Sequence, residues 1–336
     1  MIKISLKKSA LPIPKKMYIH EPAHVSRYLI TARLVKEILG SKANPKVLDV
    51  GGKKGLLREF GVQSTIIDQE SSDEKDFIQG DALDMPFEDN SFDVVVSCDV
   101  LEHIPANKRE QFIAEMTRVS KGFVVIGAPF DQQGVGESEK AANAFYKNIA
   151  KQDHRWLIEH IENGLPSLSR TEAYLKKSKL HYSYFRHLSL DIWDLTTQIH
   201  FLNAAYGSSK SIKKLAKNTY AEYYDQLCEL DYSDTGYRTF FVINKNKGFA
   251  LELPELKKSE DAKIAYKQFL NNDMLLSIKN LWLENESKAL ALEDSAKALD
   301  SQRDDIQKLK QEISSIKSSK SWKMATNISK AKNFYK

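Results

Sequence analysis

The segment Phe92-Asp-Val-Val-Val-Ser-Cys98 constrains the fold most. Its centre, Val94-Val-Val96, is an unbroken β-branched run, so a strand here is apolar on both faces. Such a strand must be covered on both sides, which in water means a parallel sheet between two layers of helix. The surrounding chain agrees. Val47–Val50, Ser64–Ile67, Phe77–Ile78 and Phe123–Ile126 are further strand-length apolar runs, and amphipathic stretches at Glu21–Gly40, Lys53–Phe60 and Asn107–Val119 alternate with them. The class is α/β. Residues 138–180 interrupt the alternation with charge-rich helical sequence, His181–Phe185 resumes it, and Tyr237–Asn244 is predicted to be the last strand. Residues 1–20 read as an irregular arm, because Pro12 and Pro14 discourage a helix. A domain of residues 1–247 is therefore expected, followed by a helical tail over 248–336.

In open parallel sheets, ligands bind beyond the carboxyl ends of the strands. The sequence at those ends is distinctive. Val47–Val50 runs into Asp49-Val-Gly51-Gly52-Lys53-Lys-Gly55, a turn that lets backbone approach a ligand closely. The second strand ends on Asp68, an acid able to accept hydrogen bonds from ribose hydroxyls. These two features also suit a dinucleotide-binding fold, or an ordinary turn followed by a surface acid. Next comes Gly80-Asp81-Ala82-Leu-Asp-Met85-Pro86-Phe87, then Ser91-Phe92-Asp93, then Cys98-Asp99-Val-Leu-Glu102-His103-Ile-Pro105.

Order, spacing and identity over Lys46–Phe130 resemble the class I S-adenosylmethionine-dependent methyltransferases, in the branch carrying an LPF-x-D-x-SFD run, with Met85 in place of leucine. The resemblance implies a Rossmann-like sheet of seven strands, mostly parallel, whose last strand is antiparallel. It implies S-adenosylmethionine as cofactor. Asp49, Gly51, Gly52 and Gly55 would form its loop, Asp68 would take the ribose, and Asp81 with the backbone of Ala82 would read the adenine. Cys98 and Asp99 would lie near the methionine part. The usual second loop glycine is replaced by Lys53, which keeps open a scaffold that retained the fold without turnover.

For the chemistry, His103, His160 and Asp99 are the candidate bases, since imidazole accepts a hydroxyl proton near neutral pH. Against this, His103 can equally cap and pack the following helix. His154 and His160 are six positions apart and do not stack on one helical face, so no metal site is expected from them. The run Trp156-Leu-Ile-Glu159-His160, followed by Gly164-Leu-Pro166, resembles methyltransferases of surface-polysaccharide pathways, which would make a sugar or glycolipid the acceptor. A small molecule of another kind or a protein is the alternative. The net charge of +5 is too mild for a dedicated nucleic-acid binder. With two cysteines, Cys98 and Cys228, a disulfide framework is excluded, and the reading is cytoplasmic.

In the tail, Leu292, Leu299, Ile306 and Ile313 recur at heptad spacing, joined by Leu309 and Ile316, so a coiled coil is expected at about 285–318 and a homo-oligomer with it. A single amphipathic helix folded back on the domain is the alternative. The lysine-rich end, with Trp322 and Tyr335, reads either as a peripheral contact with the inner membrane face or as a solvated terminus.

Overall fold

A computed structural model describes residues 2–6, 11–52, 54–229, 231–232, 234–254 and 274–318. The expectations for Lys53 and for residues 319–336 lie outside the described residues.

The first strand is β1 (Ile2–Ser5), and the first helix is α1 (Pro22–Leu39). Then come β2 (Val47–Val50), β3 (Thr65–Asp68), β4 (Phe77–Gln79), β5 (Phe92–Cys98), α2 (Arg109–Val119) and β6 (Ser120–Pro129). The insertion is α3 (Val135–Ala150), α4 (Arg155–Asn163) and α5 (Leu168–Lys177). After it lie β7 (His181–Ser189), α6 (Leu190–Tyr206), α7 (Lys210–Glu222), β8 (Gly236–Asn244) and β9 (Phe249–Glu252).

Seven strands form one sheet in the order β4-β3-β2-β5-β6-β8-β7. Neighbours from β4 to β6 are parallel, and β8 runs antiparallel between β6 and β7. The expected seven-stranded sheet with its antiparallel last strand is therefore observed. Strand order reverses beside β2, so the loops after β2, β3, β4 and β5 gather at one edge of the sheet. Val94, Val95 and Val96 are fully enclosed, as a two-faced strand requires.

Three expectations change. Residues 1–20 are not an irregular arm: β1 pairs in parallel with β9, from Ile2 opposite Phe249 to Ser5 opposite Glu252, and Lys15–Ile19 form a 3₁₀ turn. Ile4 and Leu6 are buried by that pairing, so the first unit continues past residue 247, to Met274. Helix after the glycine loop is confined to the 3₁₀ turn Leu56–Phe60. The unit from Leu275 onward holds most of one continuous helix, α8 (Met274–Ser318), on which Leu299, Ile306, Leu309 and Ile313 are solvent-exposed. Among the described residues, no helix is long and apolar enough to cross a membrane.

Candidate active site

The edge of the sheet is built tightly. Gly51 takes φ +81°, and a Cβ there would lie 2.3 Å from Val100 Cγ2. A Cβ on Gly52 would lie 2.1 Å from Asp49 Oδ2, so the loop folds against that carboxylate. Asp49 is buried, its Oδ2 has no hydrogen-bond partner, and burial pushes its pKa up to about 7. Asp68 and Asp81 end adjacent segments: the Gly80 N–H donates to the Asp68 carbonyl at 3.0 Å. Each carboxylate also braces its own turn, Asp68 accepting from the Glu70 N–H and Asp81 from the Leu83 N–H. Ala82 packs on the core beside Met85 and Phe87. Asp49 and Asp68 thus lie near the carboxyl ends of the neighbouring strands β2 and β3, and Asp81 just past the end of β4. Cys98 differs: its thiol turns inward to Thr31 Oγ1 at 2.9 Å, and burial pushes its pKa up to about 12. Only its backbone remains for a ligand.

Asp99 follows β5 with φ +54°, a left-handed conformation that aspartate tolerates better than most side chains. It is gripped from two sides. Arg238 Nε and Nη2 on β8 donate to its two oxygens at 2.6 Å each, and Arg27 Nη1 on α1 donates to Oδ2. Burial alone would raise the Asp99 pKa, but the charges of Arg238 and Arg27 outweigh it and hold the carboxyl well below its usual range. With its proton affinity depressed and both oxygens engaged, Asp99 is suited to anchoring, not to accepting a proton. Two arginines against one acid leave one positive charge in excess, and Arg27 Nε and Arg238 Nη1 have no hydrogen-bond partner.

The turn after Asp99 holds the second constellation. Arg109 Nε donates to the carbonyls of Leu101 and Ile104, and its Nη2 reaches the Gly164 carbonyl at the end of α4. This ties Glu102 and His103 to the insertion. The Nε2 atoms of His103 and His160 stand 3.3 Å apart. His160 Nδ1 donates to Glu139 Oε1 on α3 at 2.9 Å, and the Tyr237 hydroxyl donates to the same oxygen at 2.8 Å. His103 Nδ1 lies 3.2 Å from Glu159 Oε2, in ion-pair contact but off-line for a hydrogen bond. Glu102 is fully buried, and both of its carboxylate oxygens lack a partner. Burial, and then the charge of Asp99, pushes the Glu102 pKa up to about 8. Burial and then the charge of His160 lower the His103 pKa. For His160, burial is outweighed by the Glu139 hydrogen bond and the Glu102 charge, and its pKa rises. His154, by contrast, packs against Tyr146 and Phe201. An open depression of 580 Å³, lined by Asp131, Gln132, Gln133, Gly134 and Glu137, lies beyond the carboxyl end of β6.

Residues 26–126 match the family described as "Methyltransferase domain". Over that stretch the chain is similar to methyltransferase domains. Demethylmenaquinone methyltransferase of Renibacterium salmoninarum is 31% identical over 118 residues, covering 31% of this chain and 49% of that protein. Ajmaline N-methyltransferase of Rauvolfia serpentina is 50% identical over 67 residues, covering 20% of this chain and 19% of that protein. The chain thus spans about half the length of the first relative and a fifth of the second. Among solved structures, the YcgJ protein of Bacillus subtilis is similar with TM-score 0.40 and 17% identity, over 66% of this chain and all of that one. A Haemonchus contortus phosphoethanolamine N-methyltransferase 2, in complex with phosphomonomethylethanolamine and S-adenosylhomocysteine, gives TM-score 0.38 and 17% identity over 63% of this chain and 52% of that one. At such TM-scores neither structure informs the site.

The residues present fit S-adenosylmethionine. The unpartnered Asp49 oxygen suits a cationic group, the spare donors of Arg27 and Arg238 suit a carboxylate, and Asp68 with Asp81 suits the nucleoside. Sequence reasoning missed Arg27, Arg238, Glu102, Glu139 and Tyr237 as members of the site.

Proposed function

We propose that the chain moves a methyl group from S-adenosylmethionine to a hydroxyl of a sugar or glycolipid. The observation that carries this reading is the cluster in which Glu102 and His103, in the turn after β5, meet His160 and Glu139 of the insertion. When bound, the cofactor supplies a sulfonium methyl: an acceptor oxygen lone pair forms the new bond to that carbon while the S–CH₃ bond breaks and its electron pair stays on sulfur. The loop and Asp49 would hold the methionine end together with the Arg27 and Arg238 donors. Asp68 and Asp81 would hold the nucleoside. The arginine-clamped Asp99 would fix the turn that aims Glu102 and His103. The cluster would take up the acceptor's proton, a step that a hydroxyl requires and an already neutral amine does not. Alignment of the acceptor with the methyl would supply much of the acceleration.

What supports a sugar is the Trp156–Pro166 resemblance, together with the open depression beside α3, whose volume is in the range of small-molecule sites. The exposed heptad residues of α8 support self-association as a coiled coil. Contact with the inner membrane face rests on the sequence of residues 319–336 alone.

Isothermal titration of the full chain with S-adenosylmethionine and S-adenosylhomocysteine tests the core of this reading. Saturable binding of both, followed by methyl transfer to hydroxylated glycans, is expected. Absence of binding would move the chain to a scaffold role.

A further inference from the structure

We propose that Glu102, His103 and His160 form a binding site for a divalent transition-metal cation. One ligand atom from each of the three lies within 4.8 Å of the other two. The argument rests on what the three side chains lack. His160 commits its Nδ1–H to Glu139, so its Nε2 carries a lone pair. His103 presents Nδ1 to the Glu159 carboxylate, which favours the same tautomer. Two lone pairs then face each other across 3.3 Å. Beside them are two Glu102 oxygens, sealed from water and without a donor. A single shared proton would settle the nitrogen–nitrogen contact but leave both Glu102 oxygens unsatisfied, and buried polar groups are rarely left so. A cation satisfies all three side chains at once.

The geometry suits such an ion. With metal–nitrogen bonds of about 2.0–2.1 Å, a nitrogen separation of 3.3 Å gives an N–metal–N angle of about 104–111°, near tetrahedral. The Glu102 oxygen has only to draw in from its present distance. Two histidines and one carboxylate are a ligand set that leaves further positions open. The outer layer is also in place. His160 has its far nitrogen hydrogen-bonded to Glu139, which Tyr237 holds in turn, and His103 has its far nitrogen in ion-pair contact with Glu159 at 3.2 Å. His103 keeps 22% of its side chain exposed, which gives an ion a way in. With an ion in place the imidazole lone pairs are committed, so an acceptor hydroxyl filling an open position would lose its proton to solvent instead of to the cluster, and its oxygen would then be ready for the methyl. That role rests on the methyl-transfer reading. The binding of the ion does not.

The test uses the full-length chain, stripped with a chelator and dialysed, then titrated with Co²⁺ while visible d–d absorption is recorded. Binding of S-adenosylhomocysteine is measured on the same samples. Uptake of one Co²⁺ per chain, with absorption typical of low coordination number and displacement by Zn²⁺, is expected. Glu102→Gln and His103→Asn should each weaken Co²⁺ binding by at least the roughly 10–100-fold seen for outer-layer losses, and Glu139→Gln by about that amount. His181→Asn, a change at the exposed start of β7, should leave it unchanged. If Glu102→Gln does not fold, His103→Asn, at a partly exposed position, alone decides. A chain that binds S-adenosylhomocysteine but takes up no Co²⁺ overturns the site, as does uptake unaltered in both ligand variants. Co²⁺ bound through these residues without S-adenosylhomocysteine binding would leave the metal site standing and remove the methyl-transfer reading instead.

Discussion

Replacing Asp99 by asparagine separates an anchoring role from a proton-accepting one. Asp99 is 17% exposed, its partners Arg27 and Arg238 are 17% and 2% exposed, and three charge-assisted hydrogen bonds join them. Asparagine keeps the shape but removes the negative charge, and leaves two guanidinium groups facing each other in a water-poor site. Removing one partner of a buried ion pair costs about 3–5 kcal/mol, a large part of the roughly 5–15 kcal/mol that holds a domain folded. At about 2–4 °C per kcal/mol for a large domain, Asp99→Asn should lower the melting temperature by about 6–20 °C. Arg238→Met should also destabilise, and the double variant Asp99→Asn/Arg238→Met should lose clearly less than the sum of the two, because the second change removes a charge the first left unpaired. The pH dependence has a definite sign. The folded-state pKa of Asp99 is depressed, so its contribution is present above the ordinary aspartate value and fades as pH falls toward the folded value. Asp99→Asn should flatten the acid limb of a stability profile. Differential scanning fluorimetry and urea titration from neutral pH down through and below the ordinary aspartate value measure both effects. A variant that melts within about 2 °C of the parent, with an unchanged acid limb, would refute the anchoring argument and return Asp99 to the list of bases.

Three further outcomes are expected. Asp68→Ala and Asp81→Ala should each weaken S-adenosylhomocysteine binding by roughly 10–100-fold in calorimetry, the value of about 1.5–3 kcal/mol for a hydrogen bond to a charged group; unchanged binding in both would dissolve the nucleoside assignment. Asp49 has a folded pKa pushed up to about 7, so between the ordinary aspartate value and that point the folded chain holds more protons than the unfolded one, and stability should fall as pH rises through this window. Asp49→Asn should remove that slope in urea titrations run across it, and a slope that survives would place the titrating group elsewhere. Deleting residues 275–336 should reduce the oligomer seen by light scattering while S-adenosylhomocysteine binding persists, and the same oligomer after truncation would exclude α8 as the associating element.

What the sequence made legible was whatever local pattern encodes. Val94–Val96 had to be a doubly covered strand, and Asp68 and Gly80-Asp81 fall at strand ends because apolar runs stop there. What stayed hidden depends on partners far apart in the chain. Arg238 sits within Tyr237-Arg-Thr-Phe-Phe and reads as one polar position in an apolar strand, while the acid that explains it is 139 residues away. β1 and β9 are four residues each, too short to announce a pairing that spans the whole first unit. Glu139 lies among Glu137 and Lys140 on an amphipathic helix, where an acid ordinarily faces water. Burial at 1% exposure, with a tyrosine and a histidine on one oxygen, reverses that reading. The same distance effect hid the cluster. His103 and His160 were each visible as single candidates, but a lone imidazole suggests a base, whereas two facing imidazoles over a buried carboxylate suggest a ligand set. Proton acceptance and metal binding draw on the same lone pair. The 3.3 Å separation, which a spacing of 57 residues in sequence cannot supply, is what brings the second use into view.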